Sequence, residues 1–318
     1  MRIHGLCLVK NEADILRQGL QAARTWCDAI YVFDNGSTDG TWEQVQELAR
    51  HDPAIIPWKQ EAVPFRDGLR AEIFHAFANR AQPGDWWARL DPDEFYVDDP
   101  RAFLTRVPAS VGCVWYASLS YYFSTEEACR YYADPAQFAD EVPITEKCRH
   151  YFNHWSEVRF VRHEAMEPWE GIEGWPEQLT RRVRSHSRRI LCRHFPYRSP
   201  KQIELRIATR AASALSGTVF SHEAVKDWRA TVDPTAIQQH QWKNVQYASD
   251  HTEMELGWES RVIDATHLVF DAHDGRFVLN EHLMPGGRRP LPQRLASYAR
   301  GIKKRLLKYS AIALKTGA

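Results

Sequence analysis

No two of the six cysteines (Cys7, Cys27, Cys113, Cys129, Cys148 and Cys192) stand at C-x-x-C spacing. This argues against a paired-cysteine zinc site and against a disulfide framework, and leaves reduced, mostly buried thiols as the expectation. Net charge is also lacking, because Lys+Arg and Asp+Glu are both 41. That balance argues against a general nucleic-acid binder, whose affinity depends on a basic surface. No apolar run approaches the ~20 residues of a membrane span, and Met1-Arg2-Ile3-His4-Gly5 has no secretory-leader pattern. The expectation is a cytoplasmic protein. What the chain does have is size and apolar content: 318 residues, 44% hydrophobic and 12% aromatic, enough for one large domain with an appendage or for two domains.

The first 90 residues alternate between apolar runs and helical spacing. Ile3 to Val9 reads as a buried strand ended by Lys10-Asn11-Glu12, and Ile15, Leu16, Leu20 and Ala23 then recur as one face of a helix. Ala29 to Phe33 is a second strand, running into Asp34-Asn35-Gly36-Ser37-Thr38-Asp39-Gly40-Thr41. Two glycines and two aspartates within that stretch make a turn-rich loop. Thr41 with Gln44 reads as a capping box opening a helix that carries Trp42, Val45 and Leu48. Ala54 to Trp58 is a third strand, Leu69, Ile73 and Phe77 mark a third helix closing at Gln82-Pro83-Gly84, and Trp86 to Leu90 is a fourth strand. This alternation predicts a doubly wound α/β sheet.

The fourth strand runs into the most unusual stretch, Leu90-Asp91-Pro92-Asp93-Glu94-Phe95. Carboxylates crowded together cost stability, and in an open α/β sheet the crevice beyond the strands' carboxyl ends is where ligands bind. Pro92 fixes φ between the two aspartates and keeps the chain out of a helix. Such oxygen donors suit Mg²⁺ or Mn²⁺, which are commonly held by one or two carboxylates together with phosphate and water. Asp34, at the tip of the second strand, is placed to accept hydrogen bonds from a base or ribose. Asp39 is placed either to do the same or to start the helix, whose N-terminus favours an anion such as phosphate. The alternative is a solvated acidic turn with no ligand.

The order Lys10-Asn11-Glu12, then Asp34 to Thr41, then Leu90 to Phe95 resembles family 2-type glycosyltransferases of the GT-A fold, in particular those that build bacterial lipopolysaccharide and other cell-surface glycans. The likeness covers roughly the first 100 residues. Ile144 to Arg149 and Glu157 to Arg162 resemble the later part of such enzymes more loosely. Gly174-Trp175-Pro176-Glu177-Gln178-Leu179 is similar to a segment that often shows His-Glu before Gln-Leu, with Pro176 in place of the His. Ile190 to Ser199 resembles the family's apolar strand ending in a His-aromatic-x-x-Arg-Ser turn.

The resemblance implies a nucleotide-diphospho-sugar transferase fold, a mostly parallel mixed sheet flanked by helices, in residues 1–200, with a mainly helical extension over 201–318. It implies an inverting transfer of sugar from a nucleotide-diphosphate donor, UDP by default, to an acceptor hydroxyl on a glycan or glycolipid. The acidic stretch becomes the family's Asp-x-Asp motif. Asp93, Asp91 and His194 would hold Mn²⁺ or Mg²⁺, and Asp34, Asp39, Asn11, Glu12 and Asp91 would hold the nucleotide. Glu177, with Glu173 and Glu170 in reserve, would be the general base, and Glu94 would support the turn or a donor hydroxyl. Two alternatives stay open. A nucleotidyltransferase normally needs an early glycine-rich basic loop, and Leu8 to Glu12 is not one. A non-catalytic nucleotide-sugar or carbohydrate-binding protein would bind donor without turning it over.

Past Pro200 the composition changes. Ile203, Ile207, Ala211 and Leu215 predict a helix, Trp228, Trp242 and Trp258 space out a region of little signature, and Thr266 to His282 reads as a hairpin around Asp274-Gly275. His267, Asp271, His273 and His282 within it are explained either as a metal site or by alternating exposure on the hairpin. The basic tail from Arg294, with Lys303, Lys304, Arg305 and Lys308 among apolar residues, has the composition of a helix that touches an anionic membrane at the cytoplasmic face, or of a surface helix packed on the domain.

Overall fold

A computed structural model describes residues 1–66, 68–123, 125–155, 157–166, 169 and 183–215, and short strands at 263–264, 268–271 and 276–279. In chain order the elements are β1 (Ile3–Val9), α1 (Ala13–Arg24), β2 (Ala29–Asp34), α2 (Thr41–His51), β3 (Ile55–Gln60), α3 (Leu69–Phe77), β4 (Trp86–Leu90) and β5 (Glu94–Tyr96). There follow α4 (Pro100–Thr105), β6 (Cys113–Tyr122), α5 (Thr125–Ala133), α6 (Ile144–Lys147), β7 (His150–Trp155), β8 (Val158–Arg162) and β9 (Ile190–His194). The last are α7 (Pro200–Leu215), β10 (Ile263–Asp264), β11 (Leu268–Asp271) and β12 (Arg276–Leu279).

The main sheet runs β10-β7-β6-β8-β4-β1-β2-β3, with β9 paired to β6 and β5 to β9. Strands β4, β1, β2 and β3 are parallel neighbours, whereas β8 joins antiparallel to both β4 and β6. The expected mixed α/β sheet flanked by helices is found. Its parallel half is buried on both faces, as continuous apolar strands require. In β1, Cys7 and Val9 pack with Leu16, Leu20, Val45 and Leu48 of α1 and α2, while Leu6 and Leu8 face Leu69, Ile73, Phe74 and Phe77 of α3. The same alternation continues through Ile30 and Val32 against Tyr31 and Phe33 in β2, and through Trp86 against Trp87 in β4. Each such side chain, fully withdrawn from water, contributes about 1.5–3 kcal/mol.

Chain order places the switch point of the sheet beside β1, because β2 and β3 lie on one side of it and β4 on the other. At such a point the loops leaving neighbouring strands diverge and open a crevice at their carboxyl ends. The loops after β1, β2 and β4 are the three stretches singled out by sequence.

The N-terminus of α2 differs from expectation. The N-cap residue, Gly40 at φ 96, has no side chain to cap it, and Asp39 Oδ1 one residue earlier accepts from both the N–H and the hydroxyl of Thr41, at 3.0 and 2.6 Å, in place of the Thr41–Gln44 exchange. The expected hairpin is found as β11 with β12, in which Asp271 pairs with Arg276. His267, His273, His282, the three spaced tryptophans and the basic tail lie outside the described residues. Strand β10 adds to the free edge of β7, so part of the C-terminal region joins the main sheet. Among the described residues no helix is long and apolar enough to cross a membrane, and all six cysteines are unpaired, with only Cys129 exposed.

Candidate active site

The loops after β1 and β2 are tied together before any ligand is considered. Asn11 adopts φ 57, a left-handed conformation that asparagine tolerates better than most residues. Its backbone N–H donates to Ser37 Oγ at 2.8 Å and its Oδ1 accepts from the Thr38 N–H at 2.9 Å. Its Nδ2 donates to Thr209 Oγ1 at 3.0 Å, so α7 is fastened over the same corner. Asp39 spends both oxygens within the protein, accepting from Ala13 N–H at 3.0 Å and from the N–H and hydroxyl of Thr41. Of its two sequence roles, starting the helices is the one these contacts describe.

Asp34 is different. Its Oδ1 accepts from the Ser37 N–H at 2.7 Å, while Oδ2, fully buried at the tip of β2, has no hydrogen-bond partner. The neighbouring Asn35 accepts from Val63 N–H at 3.0 Å, yet its Nδ2 is likewise unpartnered. Unmet polar atoms on two consecutive residues at a strand tip are costly in a protein interior, and such atoms are what a polar ligand edge satisfies.

The two aspartates of the acidic turn have different surroundings. Asp91 is surrounded by arginines: Arg70 Nη2 donates to Oδ1, Arg159 Nη1 donates to Oδ2 at 2.8 Å, and Arg89 Nε lies 3.5 Å from Oδ2. Burial opposes its charge, but Arg70, Arg89 and Arg159 override it and hold the carboxyl well below the ordinary carboxylate range. Arg159 is itself only 2% exposed. It also pairs with Glu94, lies 2.9 Å from Glu157 Oε1, and donates to Tyr116 Oη at 3.0 Å. Glu94 is pushed up to about 7 by burial, with Arg159 opposing and Asp91 adding.

Asp93 instead faces an imidazole. Its Oδ2 lies 3.3 Å from His194 Nε2 and 3.6 Å from Arg198 Nη1. The antiparallel pairing of β5 with β9 sets Glu94 opposite His194, and the Phe195 N–H donates to the Asp93 carbonyl at 2.9 Å. Burial works against the Asp93 charge, yet His194 and then Arg198 bring its carboxyl below the usual value. Conversely, burial disfavours protonated His194, and Asp93 outweighs it to raise the ring's basicity.

Arg198, 1% exposed, gathers the whole corner. Nε and Nη2 grip Asp14 at 2.8 and 2.7 Å, Nη2 also reaches Glu12 Oε2 at 2.6 Å, and Nη1 donates to the Phe195 carbonyl at 2.9 Å. Glu12 is pushed up to about 7, by burial first, with Arg198 opposing and Asp93 and Asp14 adding. Thus Asn11, Glu12, Asp93 and His194 are brought to one corner of the crevice, with Asp34 at the tip of the adjacent strand. Glu170, Glu173 and Glu177 lie outside the described residues.

Among the described residues no group of three or more His, Cys, Asp or Glu forms a complete metal cage. Asp93 and His194 are two suitable donors side by side, and a cation that completes its shell with phosphate oxygens and water asks for no more than one or two carboxylates from protein. Asp93 and His194 thus offer one carboxylate and one imidazole, the latter a donor only when unprotonated, and Asp91 is set apart by its arginines.

Sequence reasoning missed Arg70, Arg89, Arg159 and Tyr116 as participants. A signal existed for two of them: Arg89 sits inside Trp86-Trp87-Ala88-Arg89-Leu90 and Arg159 inside Val158-Arg159-Phe160-Val161. A charge within an otherwise apolar strand demands a buried partner.

No protein-family model matches the chain, and no curated protein matches it in sequence. Among solved structures it is similar to the mannosyltransferase PcManGT from Pyrobaculum calidifontis in complex with GDP-Man and Mn²⁺, at 14% identity and TM-score 0.38, over 78% of this chain and 75% of that one. It is also similar to S. aureus TarS 1-349, at 12% identity and TM-score 0.29, over 80% of each. A third is GalNAc-T7 with UDP, GalNAc and Mn²⁺, at 11% identity and TM-score 0.37, over 80% of this chain and 57% of that one. The first of these is a mannosyltransferase. Likeness at this level carries nothing about individual residues.

Proposed function

We propose that the chain is a family 2-like glycosyltransferase that moves a sugar from a nucleotide-diphosphate donor, UDP-linked by default, to an acceptor hydroxyl of a surface glycan or glycolipid. The observation that carries this reading is the Asp93–His194 pair at the carboxyl-end crevice beside β1, held by Arg198, with the unpartnered Asp34 Oδ2 at the tip of β2. An acid–imidazole pair and an orphaned acceptor on opposite sides of β1 match a ligand with a diphosphate at one end and a nucleoside at the other.

Asp34 and Asn35 receive the nucleoside, with Asn11, Glu12 and Asp39 shaping the loops around it. Asp91, kept ionised by its arginines, meets the ribose or the metal shell through water. Asp93 and His194 hold Mn²⁺ or Mg²⁺, which when bound supplies Lewis-acid neutralisation of the departing diphosphate. Arg198 keeps Asp93 oriented, and inversion by single displacement assigns the acceptor's proton to Glu177, with Glu173 and Glu170 as reserves. The catalytic unit is residues 1–200 and the extension 201–318, whose basic tail touches the cytoplasmic face of a membrane.

Calorimetric titration of UDP, GDP and dTDP, each with Mn²⁺ and with EDTA, tests the reading. Metal-dependent binding of one nucleotide that Asp93→Ala abolishes supports it. Failure of all three to bind wild type sinks it.

A further inference from the structure

Helix α1 carries Gly19 near its middle, buried within Ala13–Arg24. Glycine inside a helix costs about 1 kcal/mol relative to alanine, so its place there asks for a packing reason. A Cβ at Gly19 would lie 2.0 Å from the Pro92 carbonyl oxygen, 2.7 Å from its carbonyl carbon and 2.9 Å from its Cα. All three are backbone atoms of the residue between Asp91 and Asp93, so no rotamer change relieves the contact. Gly5 in β1 is a useful contrast. A Cβ there would meet Cys27 Sγ at 3.1 Å and Leu90 Cδ2 at 3.3 Å, both atoms of side chains.

The same helix holds the turn at a second point. Residues at its N-terminus, Glu12 and Asp14, bind Arg198, whose Nη1 also lies 3.6 Å from Asp93. We infer that α1 is the brace that sets the position of Asp93, with Gly19 and Arg198 as its two positioning residues. This rests on the transferase reading above for its consequence in binding, and on geometry alone for its structural part. A methyl group at position 19 must push the acidic turn off the helix by roughly 1 Å, because a packed interior has no slack to absorb it. Asp93 then leaves His194, and the backbone bond from Phe195 N–H to the Asp93 carbonyl is strained.

The test uses the full chain as Gly19→Ala, Gly5→Ala and Arg198→Lys, compared with wild type in thermal melts, in titrations of UDP, GDP and dTDP with Mn²⁺, and in amide hydrogen exchange. For Gly19→Ala the expected result is nucleotide binding weakened at least about tenfold, since displacements of this size are costly at built sites. Phe195 exchange should accelerate while amides within β1 and β2 stay protected. Gly5→Ala should lower the melting temperature and leave binding unchanged. Nucleotide binding by Gly19→Ala equal to wild type, or a loss that Gly5→Ala reproduces at equal destabilisation, would overturn the inference. Should Gly19→Ala not fold, Arg198→Lys decides, because it keeps the charge and removes the fork: the same selective loss supports the brace and unchanged binding overturns it. If wild type binds none of the nucleotides, the transferase reading falls, and exchange at Phe195 still decides whether α1 positions the turn.

Discussion

The two ends of the parallel sheet both bury charged side chains and use them in opposite ways. At the amino end, Asp85 accepts from the backbone N–H groups of Arg2 and Gln82 at 2.6 and 2.8 Å. Asp28 there accepts from Ile3 N–H at 2.7 Å and pairs with Arg101. His4 stacks on Trp87 and hydrogen-bonds Tyr31. Those carboxylates are consumed in starting strands and closing loops. At the carboxyl end Glu12, Asp14, Asp91, Asp93 and Glu94 converge and are balanced by Arg70, Arg159, Arg198 and His194. Acids spent on backbone stabilise the fold. Acids clustered with arginines and a histidine in a crevice are what a candidate functional site presents, and the working end is proposed to lie there.

Removing Arg159 should give the largest effect. Arg159→Met would strip buried Glu94 of its cation, while Asp91 keeps Arg70 and Arg89 and Glu157 keeps Arg89, and breaking a buried pair in this way costs about 3–5 kcal/mol. Urea unfolding checks it, and a loss under about 1 kcal/mol would mean that the arginine network is not holding the turn. At the other end, Asp85→Ala should cost about 1–3 kcal/mol through its two stranded N–H groups, with metal-dependent nucleotide binding unaltered. A binding defect in that variant would erase the contrast between the two ends.

A smaller effect concerns pH. Burial pushes Glu12 from its ordinary 4.5 up to about 7 in the folded protein, so the folded state keeps a proton that the unfolded chain has released. Stability from this group is therefore greatest in mild acid and declines as pH rises toward 7. Thermal melts across that window should show a shallower decline in Glu12→Gln. An unchanged slope would show that other groups set it. Smallest of all, Cys129 is the one exposed thiol. A thiol reagent should modify a single cysteine rapidly in the folded protein, and Cys129→Ser should change stability by no more than about 0.5 kcal/mol.

The order of strands and helices was legible because it is written locally. Ile15, Leu16, Leu20 and Ala23 recur on one face, and the runs Ile3 to Val9 and Ala29 to Phe33 leave room for nothing but buried strands. The acidic turn stood out for the same reason, since three carboxylates lie within four residues at Asp91 to Glu94. What was not legible depends on distant partners. Arg70 meets Asp91 across 21 residues of chain and Arg198 meets Glu12 across 186, and nothing in either neighbourhood announces the other. The Thr41–Gln44 capping box failed because Asp39 took the Thr41 hydroxyl, a competition that a pattern of two residues does not reveal. Nothing local marks Gly19, because its constraint is the backbone of Pro92, far along the chain.

In the function proposed here, Asp93 with His194, rather than any acid of the amino end, receives the metal and its nucleotide. Electron paramagnetic resonance of Mn²⁺ with UDP or GDP tests it most directly, by following the free-ion signal as wild type, Asp93→Ala, His194→Gln and Asp85→Asn protein are added. Wild type and Asp85→Asn should deplete the signal alike, while Asp93→Ala and His194→Gln should need at least about tenfold more protein to do so. Equal depletion by all four would contradict it.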